Sequence, residues 1–218
     1  ERVAIKTRDL ALLPDAVSFE DASTLPVAAL TALRALELGG LLLGKRVLVT
    51  GAAGGVGRFA IQLGRRAGAH VTGIVGRPER GEGLRELGAD EIVTAVDRDK
   101  RYDLVLESVG GESLETSVAV LAPAGTVVVY GNSSERPASI DARALFIKGR
   151  TNVRGLFIFD EIEHDFSAAR GLAYLASLIA DGALKTEIAM TRPWTETAAA
   201  LEELSARRVA GKAVLVIE

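Results

Sequence analysis

The small-residue run Gly51-Ala52-Ala53-Gly54-Gly55-Val56-Gly57 is the part of this 218-residue chain whose residue types and spacing point most directly at chemistry. It follows the apolar stretch Arg46-Val47-Leu48-Val49-Thr50 and leads straight into a helical pattern. Such a short apolar run reads as a parallel strand buried on both faces. The glycines let the backbone turn sharply and approach a ligand where a Cβ would collide. The helix that opens here turns unpaired N–H groups and the positive end of its dipole toward that ligand, which suits a pyrophosphate. Loose glycine spacing alone would say little. Strand, glycine turn and helix in this order predict dinucleotide binding.

A second group of residues bears on which dinucleotide. An NAD site usually carries an Asp or Glu at the end of the second strand, accepting hydrogen bonds from the ribose hydroxyls. Here the strand ends Gly73-Ile74-Val75-Gly76-Arg77-Pro78-Glu79-Arg80, and the acid is missing. Gly76 leaves room for a 2′-phosphate, and the guanidinium of Arg77 or Arg80 can pair with it bidentately. NADPH is therefore favoured over NADH. The plainer reading makes Arg77 and Arg80 solvated residues at the start of a helix.

Other chemistry is sparse. The chain shows no Ser-His-Asp set and no paired carboxylates, so its catalytic residues stay unassigned. Its two histidines, His70 and His164, stand far apart, each without a ligand-spaced partner, and a structural or solvated role outweighs metal binding. With no cysteine, disulfides and thiolate zinc sites within this chain are excluded, which fits a cytoplasmic location. Glu107 falls in an apolar strand pattern beside the cofactor loop, where a structural partnership is a better fit than acid–base work. A net charge of −3 gives no reason to expect nucleic acid or an anionic membrane as partner. No apolar run reaches the length of a membrane span, and no signal-peptide pattern opens the chain.

The elements that must position these groups follow from periodicity. Residues 1–13 alternate loosely, with Arg2-Val3-Ala4-Ile5 strand-like, and stop at Leu13-Pro14-Asp15. Ser18 is a plausible N-cap for a helix toward Leu38, kinked or divided at Pro26. After the strand Arg46–Thr50, Val56, Ala60, Leu63 and Ala67 share one face of a helix that Gly68 ends. Strands are predicted at His70–Val75, Glu91–Val96, Asp103–Ser108 and Thr126–Tyr130. Helices are predicted at Pro78–Leu87 and Ser113–Leu121, with a turn at Pro123-Ala124-Gly125. Strands alternating with helices predict an α/β fold, a doubly wound parallel sheet of Rossmann type, with ligand at the strands' carboxyl ends. The tail reads as a strand over Thr151–Phe159, helices over Phe166–Ala180 and Thr195–Arg207, and a last strand, Lys212–Ile217, that need not join the central sheet.

Four segments in order carry a family resemblance: the glycine turn, Leu106-Glu107-Ser108-Val109-Gly110-Gly111, Tyr130-Gly131-Asn132-Ser133-Ser134 and Gly211-Lys212-Ala213-Val214-Leu215. Together they resemble the medium-chain dehydrogenase/reductases, specifically their zinc-independent quinone oxidoreductase branch, over essentially the whole chain. The resemblance implies an enzyme that transfers a hydride from NADP(H) to a quinone, an enone or an enoyl thioester. It implies that Ala53, Gly54, Gly55 and Val56 meet the pyrophosphate and ribose, and that Gly76 and Arg80 match the 2′-phosphate positions. Val109 belongs to the same cofactor set. Tyr130, Asn132 and Ser133 would line the adenosine and ribose channel. Thr31 would approach the nicotinamide, Leu156 and Phe157 would hold its carboxamide, and Arg208 or Arg207 would reach the cofactor from the tail. Thr31 and Phe157 could equally be packing residues.

The resemblance also implies three parts. Residues 1–30 would close a GroES-like, β-rich catalytic domain and connect it onward, 31–160 would form the dinucleotide-binding domain, and 161–218 would return to the catalytic domain. Remnants of that domain would then stand at both ends of the chain. Homodimerisation is implied, with Thr151–Phe159 as the candidate edge. There are two departures: Ala95 stands where relatives often place a tyrosine near the adenine, and most of the β-rich domain has no counterpart here. A non-catalytic NADP-binding or scaffold protein, and a zinc alcohol dehydrogenase with ligands upstream, are the alternatives.

Overall fold

Val47, Leu48 and Val49 lie at the centre of the molecule, fully buried because parallel strands have helices packed on both faces. The structure is a computed structural model that describes residues 4–217. Helices α1 (Phe19–Ser23) and α2 (Leu30–Glu37) lead to β1 (Arg46–Val49), α3 (Gly55–Arg66) and β2 (His70–Ile74). Then come β3 (Glu91–Val93), β4 (Tyr102–Glu107), α4 (Glu112–Ala119), β5 (Leu121–Val129), α5 (Ala142–Phe146) and β6 (Asn152–Gly155). The tail holds α6 (Ile158–His164), α7 (Ala168–Ala180), β7 (Ile188–Pro193), α8 (Thr197–Ser205) and β8 (Lys212–Val216).

Six strands form one parallel sheet in the order β3-β2-β1-β4-β5-β6. The strand order reverses between β1 and β4, so a crevice opens at their carboxyl ends. Side chains alternate across the sheet. Val47, Val49, Leu104 and Leu106 join the larger core with Phe59, Ile61 and Leu30. Leu48, Val105 and Val127 face the smaller core with Tyr102, Val118 and Leu121. This is the doubly wound fold that the sequence predicts.

Several boundaries differ from the sequence expectation, each for a local reason. Arg2 and Val3 of the expected opening strand lie outside the described residues, and residues 4–13 hold a single 3-10 turn, Thr7–Asp9, and no strand. Ser18 caps α1, accepting from Asp21 N–H at 3.0 Å. The expected long helix is interrupted by a π-helical stretch, Leu25–Ala29, that begins next to Pro26, whose ring removes a donor. The expected helix over Pro78–Leu87 is reduced to the 3-10 turn Pro78–Gly81, because Gly83 adopts φ +77°. The strand β5 begins before the expected turn. Its Pro123-Ala124-Gly125 segment forms an irregularity where the pairing shifts between Tyr102 and Leu104. The Thr151–Phe159 run divides into β6 and the start of α6. The last strand has an unexpected parallel partner, β7, in a separate two-stranded sheet.

One charge cluster ties the tail to the central unit. Glu161, on α6, accepts from Arg34 Nε of α2 at 2.7 Å and from Arg154 of β6 at 2.8 Å. Its side chain is 7% exposed. Burial alone would raise the Glu161 carboxyl, but the hydrogen bonds from both guanidiniums outweigh it and hold the group below its ordinary value. Glu161→Gln is expected to lower stability by about 2 kcal/mol in urea unfolding at neutral pH, discounted because Arg154 stays half-exposed. A depressed carboxylate stabilises above its unfolded value and loses that contribution as pH falls through the folded one. The gap between wild type and Glu161→Gln should therefore shrink on acidification below the ordinary carboxylate range.

Candidate functional site

The crevice is built first by backbone. Ser108 N–H donates to Thr50 Oγ1 at 2.9 Å and Ser108 Oγ to Thr50 O at 3.2 Å, which stitches the ends of β1 and β4 together. Ala52 N–H donates to Ile74 O at 3.0 Å, fixing the glycine turn against the end of β2. Within the turn, Gly54 N–H donates to Gly51 O at 2.9 Å, and Gly51 sits at φ +59°. The Arg58 N–H bond to Gly54 O at 3.0 Å starts the helical ladder of α3. The N–H groups of Gly55, Val56 and Gly57 therefore have no partner within the helix and face the crevice.

A cavity of about 810 Å³ occupies this crevice. Ten of the residues singled out from sequence line it: Ala53, Gly54, Gly55, Val56, Gly76, Arg77, Arg80, Val109, Tyr130 and Ser133. The others stand elsewhere. Thr31 is buried within the core at α2. Asn132 covers Gly110, where a Cβ would stand 2.0 Å from its Oδ1. Leu156 is buried, with its N–H donating to Val129 O at 2.8 Å. Phe157 is exposed, edge-on to Phe159 at 5.4 Å between ring centroids. Arg208 is drawn off by Glu203, at 2.7 and 3.0 Å, and its neighbour Arg207 lines the cavity instead. The one-residue difference arises at the end of α8, where Arg207 takes φ +57° and reverses the chain. Thr94, rather than Ala95, reaches the cavity beyond β3.

The cavity's charge is one-sided. Arg77, Arg80 and Arg207 line it, and among the described residues no Asp or Glu does. Burial, then repulsion from Arg77, Arg207 and Arg58, lowers the Arg80 guanidinium from its ordinary value. An anion placed there would relieve that repulsion. Gly76 keeps the space beside it open, since a Cβ built on it meets nothing within 4 Å.

Two cations near the turn are not evident from sequence periodicity. Arg58 falls on what reads as the polar face of α3, yet it is buried and donates to Ala53 O at 3.3 Å, Glu82 O at 3.4 Å and Glu187 at 2.8 Å. It thereby links the glycine turn to Glu187, the residue before β7. Lys212, in the terminal Gly-Lys segment, packs its stem on Gly55, where a Cβ would stand 2.8 Å from Cδ. Burial lowers its ammonium from the ordinary value.

Glu107 is entirely buried and structural, as expected. Its Oε1 accepts from Val109 N–H at 2.7 Å and Gly110 N–H at 2.9 Å. Its Oε2 accepts from Ser113 Oγ at 2.9 Å and Ser117 Oγ at 2.8 Å. Tyr130 lines the cavity, and its buried hydroxyl lies beside the Ser108 side chain. Burial also raises its ionisation well above the ordinary value, so it stays a neutral phenol.

Among the described residues no three His, Cys, Asp or Glu side chains cluster closely enough to hold an ion.

The comparisons agree with this geometry. A family described as zinc-binding dehydrogenase matches residues 55–174. A quinone oxidoreductase of Pseudomonas aeruginosa is 32% identical over 94% of this chain and 66% of its own length. Prostaglandin reductase-3 of Bos taurus is 36% identical over 76% of this chain and 48% of its own. The chain thus spans about half to just under two thirds of these relatives. The crystal structure of Escherichia coli quinone oxidoreductase complexed with NADPH superposes with a TM-score of 0.84 at 28% identity, covering 94% of this chain and 68% of that one. The glycine turn on its six-stranded parallel sheet, together with these matches, places the chain in the medium-chain dehydrogenase/reductase superfamily, in its quinone oxidoreductase-like branch.

Proposed function

We propose that this chain is the cofactor-binding part of an NADPH-dependent oxidoreductase acting on a quinone or an α,β-unsaturated carbonyl. The observation that carries the reading is the acid-free, three-arginine end of a crevice whose other wall is the glycine turn. The residues present fit NADPH. The N–H groups of Gly55, Val56 and Gly57 would hold the pyrophosphate, and the arginine-lined end of the crevice would receive the 2′-phosphate beside Gly76. When bound, the reduced nicotinamide supplies the hydride. The protein's share is orientation and exclusion of water, for which Val109, the Tyr130 ring and Val56 provide apolar walls. A quinone oxidoreductase and a prostaglandin reductase stand among the similar proteins, which supports the reading as an oxidoreductase.

Two further parts of the proposal concern partners. Leu12, Phe19 and Val27 are exposed near the start of the chain and suit an apolar neighbour such as a β-rich substrate domain. The edge strand β6 is exposed along its length, flanked by exposed Phe146, Ile147 and Phe157, and suits pairing with a second copy of the chain. Sedimentation showing only monomer at micromolar concentration would dismiss the dimer. The cysteine-free composition suits a reducing compartment such as the cytoplasm.

The decisive experiment titrates the chain in parallel with NADPH and NADH, then assays the protein its gene encodes against quinones and enones. Tighter binding of NADPH with NADPH-dependent reduction is the expected result. Equal or absent binding of the two cofactors overturns the cofactor reading, and binding without any turnover overturns the enzymatic one.

A further inference from the structure

The three arginines of the crevice do not have the same freedom. Arg80 directs both terminal nitrogens of its guanidinium at the tail: one donates to Arg207 O, the other to Val209 O at 3.4 Å. Arg207, held there in a left-handed conformation, reaches across and donates to Ser133 O at 3.1 Å, beyond the end of β5. Arg80, the 205–209 turn and Arg207 thus form a strap from the β2 side of the crevice to the β5 side. The Arg77 guanidinium makes no hydrogen bond or ion pair among the described residues, although Arg77 lines the same cavity and its carbonyl accepts from Arg80 N–H at 3.1 Å. Its backbone is extended, at φ −150° and ψ 145°, immediately after the open space at Gly76.

We propose that Arg77 is the specificity-determining cation that reads the 2′-phosphate of NADPH, while Arg80 and Arg207 act as the strap that retains the dinucleotide whichever its phosphate. The inference rests on the NADPH reading above and departs from the family resemblance, which assigns the phosphate to Arg80. The physical ground is competition. A phosphate drawn to the Arg80 terminal nitrogens competes with two carbonyl acceptors already held there, and only three of the five guanidinium N–H groups remain for it. One drawn to Arg77 displaces only water, and lowers the like-charge repulsion between Arg77 and Arg80. An ionic bidentate contact of this type is worth roughly a tenfold to hundredfold change in affinity.

The test measures dissociation constants for NADPH and NADH by calorimetry on wild type, Arg77→Ala and Arg80→Ala, with thermal midpoints of each unliganded protein. Arg77→Ala should weaken NADPH by roughly tenfold to hundredfold, leave NADH within about twofold, and keep the wild-type midpoint. Arg80→Ala should weaken both cofactors by a similar factor, preserve the preference between them, and lower the midpoint. If Arg80→Ala does not fold, Arg80→Lys replaces it. A lysine keeps the charge but cannot span both carbonyls, so the same pattern is expected. Preserved NADPH preference in Arg77→Ala overturns the proposal alone, as does a greater loss of preference in either Arg80 variant. A wild-type chain that prefers neither cofactor overturns the NADPH reading, and the proposal falls with it.

Discussion

Replacing Glu107 with alanine is expected to destabilise the chain by about 4 kcal/mol, read from the urea midpoint. The carboxylate is fully buried, and four donors converge on it: the N–H groups of Val109 and Gly110 and the hydroxyls of Ser113 and Ser117. Alanine leaves all four without an acceptor in a space too small to solvate them and opens a cavity where the side chain stood. The loss should extend to ligand binding. Val109 forms part of the crevice wall, and its position is set by the Glu107 bond to its own N–H. Glu107→Gln should recover most of the stability, within about 1 kcal/mol of wild type. Its carbonyl can accept from both backbone groups, and its amide can donate to the two hydroxyls, which also accept. Activity separates the two roles: a structural Glu107 leaves the stable Glu107→Gln protein active, whereas an acid–base role would abolish its activity.

Gly57→Ala is expected to abolish measurable dinucleotide binding, at least about a hundredfold loss, and to cost about 3 kcal/mol of stability. A Cβ on Gly57 would stand 2.6 Å from Ala52 O, 2.7 Å from Ala52 Cα and 2.7 Å from Gly51 O. These are backbone atoms of the glycine turn and have no rotamer by which to move aside. The first turn of α3 must back away, carrying with it the N–H groups proposed to hold the pyrophosphate. Alanine is the better helix former by about 1 kcal/mol, so intrinsic propensity opposes the predicted loss. Gly76→Ala is the control for stability, because its Cβ would meet nothing within 4 Å. Parallel denaturation and NADPH titration of both variants check the argument, and a Gly57→Ala chain that binds like wild type defeats it.

The residues that were legible in the sequence are those whose roles depend on backbone geometry close in the chain. The turn from Gly51 to Gly57 must bend and admit a ligand for reasons of sterics, and its placement after an apolar strand marks the carboxyl end of a parallel sheet. The missing acid after β2 is equally local. Arg207 was less accessible: in sequence it is one of two adjacent arginines after a helix. Only the left-handed backbone at Arg207, and the Glu203 carboxylate that engages Arg208, separate the two. Arg58 was hidden because helical periodicity places it on a polar face, whereas Glu187, its ion-pair partner, arrives from well over a hundred residues away.

Strand alternation and the glycine turn, both governed by contacts within a few residues, determined from sequence alone that this is a doubly wound α/β chain with a dinucleotide crevice. The division of Thr151–Phe159 into edge strand and helix, the pairing of β7 with β8, and the strap from Arg80 through Arg207 to Ser133 were decided only by tertiary structure. Each of these depends on which acceptors and apolar surfaces a distant segment brings within reach. Local propensity carries no record of them, because their free energy arises from burial and hydrogen bonds that exist only after the chain has closed on itself.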